Sequence, residues 1–372
     1  MKIGIPTEIK NHEYRVGLLP AGCRELTLHG HQALVQAGAG QAIGYDDEAY
    51  QRSGAQILPD ANAVFAQSDL IVKVKEPEHE ERLWLNEQHT LFAYLHLAPD
   101  IEQTRELLAS GATCIAYETV TDQHGRLPLL APMSEVAGRM SVQAGAVSLE
   151  KSQGGAGLLL GGVPGTPRAR VLILGGGVVG QSAARIAIGM GASVTIIDKS
   201  LEALRALDNR FGSRVQTLYS TRDAVETEAL RADLIIGAAL VPGAAAPKLI
   251  DRELVSAMKP GTVLVDVAID QGGCFATSKP TTHDAPTFIV DDVVHYCVAN
   301  MPGAVPKTSA TALSNATLPY VLELADQGPE AAMRNNAHLR SGLNIHRGAL
   351  TNPAVAAAQG LEATEPASAL AG

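Results

Sequence analysis

The sequence has no CxxC pair. Its four cysteines, Cys23, Cys114, Cys274 and Cys297, lie far apart along the chain. That spacing argues against a disulfide framework and reads as free, buried thiols in a reducing compartment, so the cytoplasm is the expected location. No apolar run is long enough to span a bilayer, and Met1-Lys-Ile-Gly-Ile-Pro begins directly as a strand without the apolar core of a signal peptide. Charge is sparse as well, at 18% of residues, and the net value of −10 argues against a nucleic-acid partner, which would need a basic surface. There is no convincing internal repeat and no low-complexity tract. What is present is 46% hydrophobic residues and 36 glycines in 372 positions. This composition suits a soluble α/β protein too long for one compact core.

The first 130 positions alternate β-type runs with amphipathic helical stretches. Candidate strands are Lys2–Ile5, Gln32–Val35, Leu70–Val74, Thr90–Tyr94 and Cys114–Tyr117, with Glu102–Ala109 as one of the helical segments. The order predicts a parallel sheet with helices on its faces. Ser134–Lys151 reads as a long helix with Ser134 as its N-cap. A loose glycine-rich stretch, Gly154–Pro167, follows. Further on, Ala232-Asp-Leu-Ile-Ile-Gly, Gly261-Thr-Val-Leu-Val-Asp and Thr287-Phe-Ile-Val carry buried-strand signatures that complete a doubly wound sheet near residue 300. A helix from Thr308 through Leu324 is expected to kink or break at Pro319 and to return to pack on the first domain. The small-residue segment Pro353–Gly372 is expected to fray.

Between these halves stands Arg170-Val-Leu-Ile-Leu-Gly-Gly-Gly-Val-Val-Gly180, a strand running into Gly175-x-Gly177-x-x-Gly180. An alanine-rich helical segment and a second strand, Ser193-Val-Thr-Ile-Ile, lead to Asp198. Strand, glycine turn, helix, strand and terminal acid are the parts of a dinucleotide-binding unit. Gly175 permits the tight turn, Gly177 a close backbone approach to the pyrophosphate, and Gly180 close packing of helix on strand. The helix N-terminus offers free N–H groups to phosphates. Asp198 can accept bonds from the adenosine ribose and would repel a 2′-phosphate, favouring NAD over NADP, although Lys199 beside it could soften that choice. The plainer alternative is that the glycines only shape a turn.

A dinucleotide unit does not name a reaction. Four polar segments adjoin strand ends: Glu13-Tyr-Arg15-Val-Gly-Leu-Leu-Pro20, Val72-Lys-Val-Lys75-Glu-Pro77, Phe92-Ala-Tyr-Leu-His96-Leu-Ala98 and Ala268-Ile-Asp270-Gln-Gly-Gly273. In open α/β sheets ligands gather outside the carboxyl ends of the strands, where Lys75, His96 and Asp270 fall. Each residue also has a bland reading. Arg15 could be a surface ion-pair partner, Lys75 could pair with Glu76, His96 could be a core histidine between Leu95 and Leu97, and Asp270 could seed a turn.

Taken together, these segments resemble the alanine dehydrogenase family. The resemblance is carried by Gly4-Ile-Pro-Thr-Glu-Ile-Lys10, Glu13-Tyr-Arg-Val-Gly17, Val72-Lys-Val-Lys-Glu-Pro77, Tyr94-Leu-His96 and Pro132-Met-Ser-Glu-Val-Ala-Gly-Arg139. The glycine loop, Asp266-Val-Ala-Ile-Asp-Gln-Gly-Gly273 and Tyr296-Cys-Val-Ala-Asn-Met-Pro302 extend it to about residue 350. It implies two Rossmann-like α/β domains, the central one doubly wound, joined by long helices. Residues 1–130 with 306–372 would bind substrate and residues 131–305 would bind NAD. The implied reaction turns L-alanine, NAD and water reversibly into pyruvate, ammonium and NADH, and the implied assembly is a homohexamer.

By the same resemblance, Arg15 and Lys75 match the substrate-carboxylate ligands, and Met133, with Met301 and Asn300, lines the pocket. His96 matches the acid/base at the substrate oxygen, and Asp270 the second acid/base, facing water and the amino group. Because these two come from different domains, closure of a cleft is implied. The cofactor contacts implied are Ser134, Gly175, Gly177, Val178, Val179, Gly180, Asp198, Lys199, Ser220, Ala239, Leu240, Val267, Asp270, Lys279, Val298, Asn300 and Met301. Lys279 stands where an arginine is common, and Ala203 where some members carry a basic residue. Gln327 follows Glu323 where some have a histidine, so no metal site is expected. The competing readings are a dehydrogenase of a larger amino acid such as the saccharopine-forming group, the NAD-binding subunit of a proton-translocating transhydrogenase, and a non-catalytic NAD sensor.

Overall fold

The structure is a computed structural model describing residues 1–239 and 246–371. The chain divides into two compact units, Met1–Met133 with the chain from Val305 onward, and Ser134–Ala304. Each is built on one twisted sheet.

In the first unit, strands β1 (Lys2–Ile5), β2 (Gln32–Gln36), β3 (Gln56–Leu58), β4 (Leu70–Val72), β5 (Thr90–Ala93) and β6 (Thr113–Ala116) form a parallel sheet in the order β3-β2-β1-β4-β5-β6. β4, β5 and β6 are buried throughout, as expected of parallel strands covered by helices on both faces. Phe65, Ile71, Leu91, Leu107 and Ile345 form part of the core along this sheet. Burying side chains of this size stabilises by about 1.5–3 kcal/mol each. Chain reversal after β1 sends β2 and β3 to one side and β4 to the other, so the gap beyond the ends of β1 and β4 is a topological switch point.

In the second unit, strands β7 (Arg170–Leu174), β8 (Ser193–Asp198), β9 (Val215–Tyr219), β10 (Leu234–Gly237), β11 (Val263–Asp266) and β13 (Val293–Tyr296) are parallel, ordered β9-β8-β7-β10-β11-β13. An antiparallel edge strand, β12 (Thr287–Val290), pairs with β13. Counted over the parallel strands of each unit, both sheets run in the same order, the first strand lying between the second and the fourth.

Several elements differ from the sequence expectation. The long helix spans Ala131–Ser148, so Ser134 lies inside it and is not its N-cap. Pro132 sits in the first turn, where its missing N–H costs nothing, and this lets the helix start earlier. The later helix runs unbroken over Pro306–Gln327, through Pro319. Its face of Ala310, Leu313, Thr317, Val321 and Leu324 is buried, and that packing offsets the bond lost at the proline. This helix groups with the first unit, where the Ser314 hydroxyl accepts from the Leu19 amide at 3.3 Å.

Over its described residues, through Ala371, the tail does not fray. Asn352 caps the helix Pro353–Gln359 through bonds from the Ala354 and Val355 amides, and Val355 and Ala356 are buried. Arg334 Nη1 donates to the Leu370 carbonyl at 2.8 Å. The tail also follows β14 (Leu343–His346) and β15 (Ala349–Leu350), an antiparallel extension beyond β6 that the sequence reading did not find.

Candidate functional site

In the first unit the polar side chains collect beyond the carboxyl ends of β1, β4, β5 and β6. Glu8 follows β1, and its Oε1 accepts the Val74 amide at 2.6 Å while Oε2 accepts the Lys75 amide at 3.4 Å. Lys73, fully buried, sits between Glu8 Oε2 at 3.3 Å and Glu81 Oε1 at 2.8 Å. Burial alone would push this lysine down, but Glu8 and Glu81 outweigh it and hold the ammonium above its ordinary pKa. The two buried carboxylates thus fix the turn that carries Lys75. Lys75 itself is half-buried, and among the described residues no carboxylate lies within ion-pair distance of its ammonium. The expected alternative, a pair with Glu76, is not formed: Glu76 bonds Lys10 at 2.6 Å. Although burial pushes the Glu76 carboxyl up, Lys75, Lys10 and His96 together hold it below the usual range.

Arg15 is 2% exposed and is clamped by Glu13, which takes both Nε and Nη2. Its Nη1 points at the Met133 sulfur, 3.1 Å away and a weak acceptor. Arg15 is therefore a buried, oriented guanidinium and not a surface ion-pair partner.

His96 is exposed, which overturns the reading of it as a core histidine. It adopts the left-handed region with φ 47°, uncommon for a residue with a side chain. Three side chains hold its turn. The Glu118 carboxylate, just beyond β6, accepts the His96 amide at 2.7 Å and the Leu95 amide at 3.1 Å. Gln103 Nε2 donates to the Leu95 carbonyl at 2.8 Å, and Gln359 Nε2 from the tail donates to the Leu97 carbonyl at 2.6 Å. The imidazole stacks on Tyr94, with centroids 5.8 Å apart and planes at 10°. Tyr94 is fixed in turn by its hydroxyl donating to the Leu129 carbonyl at 2.6 Å.

In the second unit the glycine loop has the geometry its sequence demands. Gly175 has φ 109°, and a Cβ there would meet the Ala238 carbonyl oxygen at 2.6 Å. At Gly180 a Cβ would fall 1.9 Å from the Gly175 carbonyl oxygen, so helix and strand touch backbone to backbone. Gly177 differs: a Cβ there meets nothing within 4 Å. It heads the helix Val178–Gly189 without a side-chain cap, leaving the first amides available to an anion. Val178 is exposed and Val179 half-buried beside this opening. The Asp198 carboxylate at the end of β8 accepts the Gly176 amide at 2.6 Å and the Ser200 amide at 2.7 Å. The Ser220 amide donates to the Asp198 carbonyl at 2.9 Å, while Lys199 is exposed. These residues fit a dinucleotide: a glycine cradle open where a pyrophosphate would lie, with a carboxylate at the adjoining strand end.

Asp270 lies on the loop after β11. Asp266, the last residue of that strand, is fully buried and gathers the amides of Ala268, Cys274 and Phe275 and the Ser278 hydroxyl. Burial pushes its carboxyl up despite these donors. Folded around Asp266, the loop presents Asp270 in the short 3-10 turn Ile269–Gln271, exposed to solvent. The Val267 amide bonds the Gly237 carbonyl at 3.0 Å, and Cys274 Sγ lies 3.6 Å from the Ala239 carbonyl oxygen. The Lys279 ammonium sits 4.5 Å from the Phe288 ring centroid. Val298 and Met301 are buried, and Asn300, half-buried with φ 61°, has its carbonyl oxygen 3.2 Å from His283 Nε2. Ser134 is half-buried within its helix, and four residues on Gly138 abuts the Val179 carbonyl. Leu240 lies outside the described residues.

Sequence reasoning assigned no role to Glu8, Glu118 and Asp266. Each is an acid at, or within three positions past, the end of an apolar strand, and that placement is the signal that could have found them.

The comparisons with known proteins agree along the whole chain. "Alanine dehydrogenase/PNT, N-terminal domain" matches residues 4–137 and "Alanine dehydrogenase/PNT, C-terminal domain" matches residues 141–353. The chain is 60% identical to an alanine dehydrogenase of Halomonas elongata, over 99% of each chain. It is 55% identical, over the full length of both, to an alanine dehydrogenase of Mycobacterium tuberculosis. A solved L-alanine dehydrogenase superposes with TM-score 0.94 at 50% identity, covering 97% of this chain and 99% of that one. The chain belongs to the alanine dehydrogenase family.

Proposed function

We propose that the protein is an NAD-dependent L-alanine dehydrogenase, interconverting L-alanine, NAD and water with pyruvate, ammonium and NADH. The observation that carries this reading is a pair of exposed acid/base side chains, His96 and Asp270, each held on a turn anchored by a strand-end carboxylate. NAD, when bound, accepts or returns the hydride at the substrate Cα. Gly175, Gly177 and Gly180 with the amides of Val178 and Val179 would hold its pyrophosphate, and Asp198 its adenosine ribose. Ser134, Ser220, Ala239, Val267, Lys279, Val298, Asn300 and Met301 complete the proposed cofactor contacts.

The residues of the first unit bind and orient. Arg15, its fork fixed by Glu13, offers Nη1 to the substrate carboxylate, and Lys75 adds a point charge. Met133 borders Nη1 and shapes the space beside it. His96 takes or gives the proton at the substrate oxygen as the carbonyl forms from the carbinolamine or is attacked by ammonia in the reverse direction. Asp270 moves protons for the attacking water and the leaving amino group. Positioned groups of this kind contribute about 10²–10⁴-fold.

The four cysteines are free and buried, which supports a reducing compartment, the cytoplasm. The expected assembly is a homohexamer, testable by sedimentation. For the activity, L-alanine with NAD must give rising NADH absorbance, faster than with NADP and faster than with larger amino acids. No L-alanine-dependent NADH formation would overturn the reading.

A further inference from the structure

The bonds around His96 go further than support of a loop. Left-handed backbone at a residue with a Cβ is unfavourable and persists only where the surroundings impose it. Here the Leu95 amide lies 3.1 and 3.3 Å from the two Glu118 oxygens, and the His96 amide lies 2.7 Å from one of them. No hydrogen bond links Glu118 to the imidazole among the described residues, so its hold is on the backbone of the turn. A carboxylate accepting amides makes stronger bonds than a neutral acceptor.

We infer that Glu118 is a positioning residue for His96. It acts through the Leu95 and His96 amides, keeping the histidine in its left-handed conformation with the ring stacked on Tyr94. The inference rests on the reading of His96 as acid/base. Without the carboxylate the turn relaxes toward ordinary backbone angles and the imidazole swings off its position. A displacement of about 1 Å at a reacting group costs on the order of 10²-fold in rate.

The test compares Glu118→Ala, Glu118→Gln, His96→Ala and the double variant Glu118→Ala/His96→Ala, measuring kcat, KM for pyruvate, NADH affinity and thermal midpoint. Glu118→Ala is expected to lose about 10–100-fold in kcat with NADH affinity unchanged. Glu118→Gln keeps the shape but replaces one acceptor oxygen with a donor, and is expected to lose about 3–10-fold. The double variant is expected to be no slower than His96→Ala, because a residue acting through His96 has nothing left to position. Should Glu118→Ala not fold, the glutamine variant carries the test.

A purely architectural role predicts a lowered thermal midpoint with kcat per folded molecule unchanged, and that result in either variant overturns the inference. Additive losses in the double variant overturn it too. If instead His96→Ala turns over normally, or the wild type does not reduce pyruvate with ammonium, the underlying reading fails, and the two failures are distinguishable.

Discussion

His96, at φ 47°, is exposed and stacked on Tyr94, and bonds with Glu118, Gln103 and Gln359 hold its turn. His96→Ala and Asp270→Asn are each expected to cut turnover by at least about 10²-fold, with NADH affinity measured by fluorescence titration near that of the wild type. Near-normal turnover in either would sink its proposed role. Lys73 is the contrasting case, a buried charge whose work is structural. Replacing it with methionine strands Glu8 and Glu81 without a counter-ion. Lys73→Met is therefore expected to destabilise by about 3–5 kcal/mol in denaturant unfolding. Sequence alone did not separate these roles. Lys73 and Lys75 stand two positions apart in one motif, and only packing shows that one is buried between two acids while the other, among the described residues, has no carboxylate within ion-pair distance.

Among the elements, the glycine loop gives the sharpest division between folding and binding. Gly180→Ala forces a Cβ to 1.9 Å from a carbonyl oxygen, and it is expected to destabilise the second unit by about 1–3 kcal/mol. Gly177 has φ −71° and open space at its Cβ, so Gly177→Ala is expected to keep the thermal midpoint while weakening NADH binding at least tenfold. Equal loss of stability in both variants would contradict this division. The loop was legible because its strand, turn and acid are contiguous in sequence. Less legible were the antiparallel β14 and β15, and the tail helix, whose glutamine Gln359 reaches Leu97 and Thr104. Those contacts join positions more than 250 residues apart, and a run of small residues gives no hint of them. The helix start at Ala131 was missed because serine at 134 mimics a cap, while Pro132 opens the helix earlier.

At the scale of the whole molecule, pH dependence of stability follows from buried histidines. Burial lowers the pKa of His295, whose Nδ1 meets the Val293 carbonyl and Nε2 the Thr277 hydroxyl, and of His346. The unfolded chain takes up these protons near pH 6.5 while the folded chain stays neutral. Stability is thus fully present above about pH 6.5 and falls as pH drops through that value toward the folded pKa. His295→Gln is expected to flatten part of this slope in urea midpoints measured between about pH 7 and 5. A slope unchanged from wild type would contradict it. The parallel strands and the shared strand order follow from apolar runs and their spacing. The carboxylates that anchor the functional turns follow only from the folded sheets, because Glu8 meets Val74 and Glu118 meets His96 across strands remote in sequence.

We propose that this chain couples ammonium to pyruvate with NADH as the reductant. The most direct measurement incubates the protein with pyruvate, ammonium and NADH, and follows absorbance loss beside L-alanine formed. The expected result is one L-alanine per NADH consumed and no consumption when ammonium is left out. NADH loss that persists without ammonium, or no loss with all three present, would contradict it.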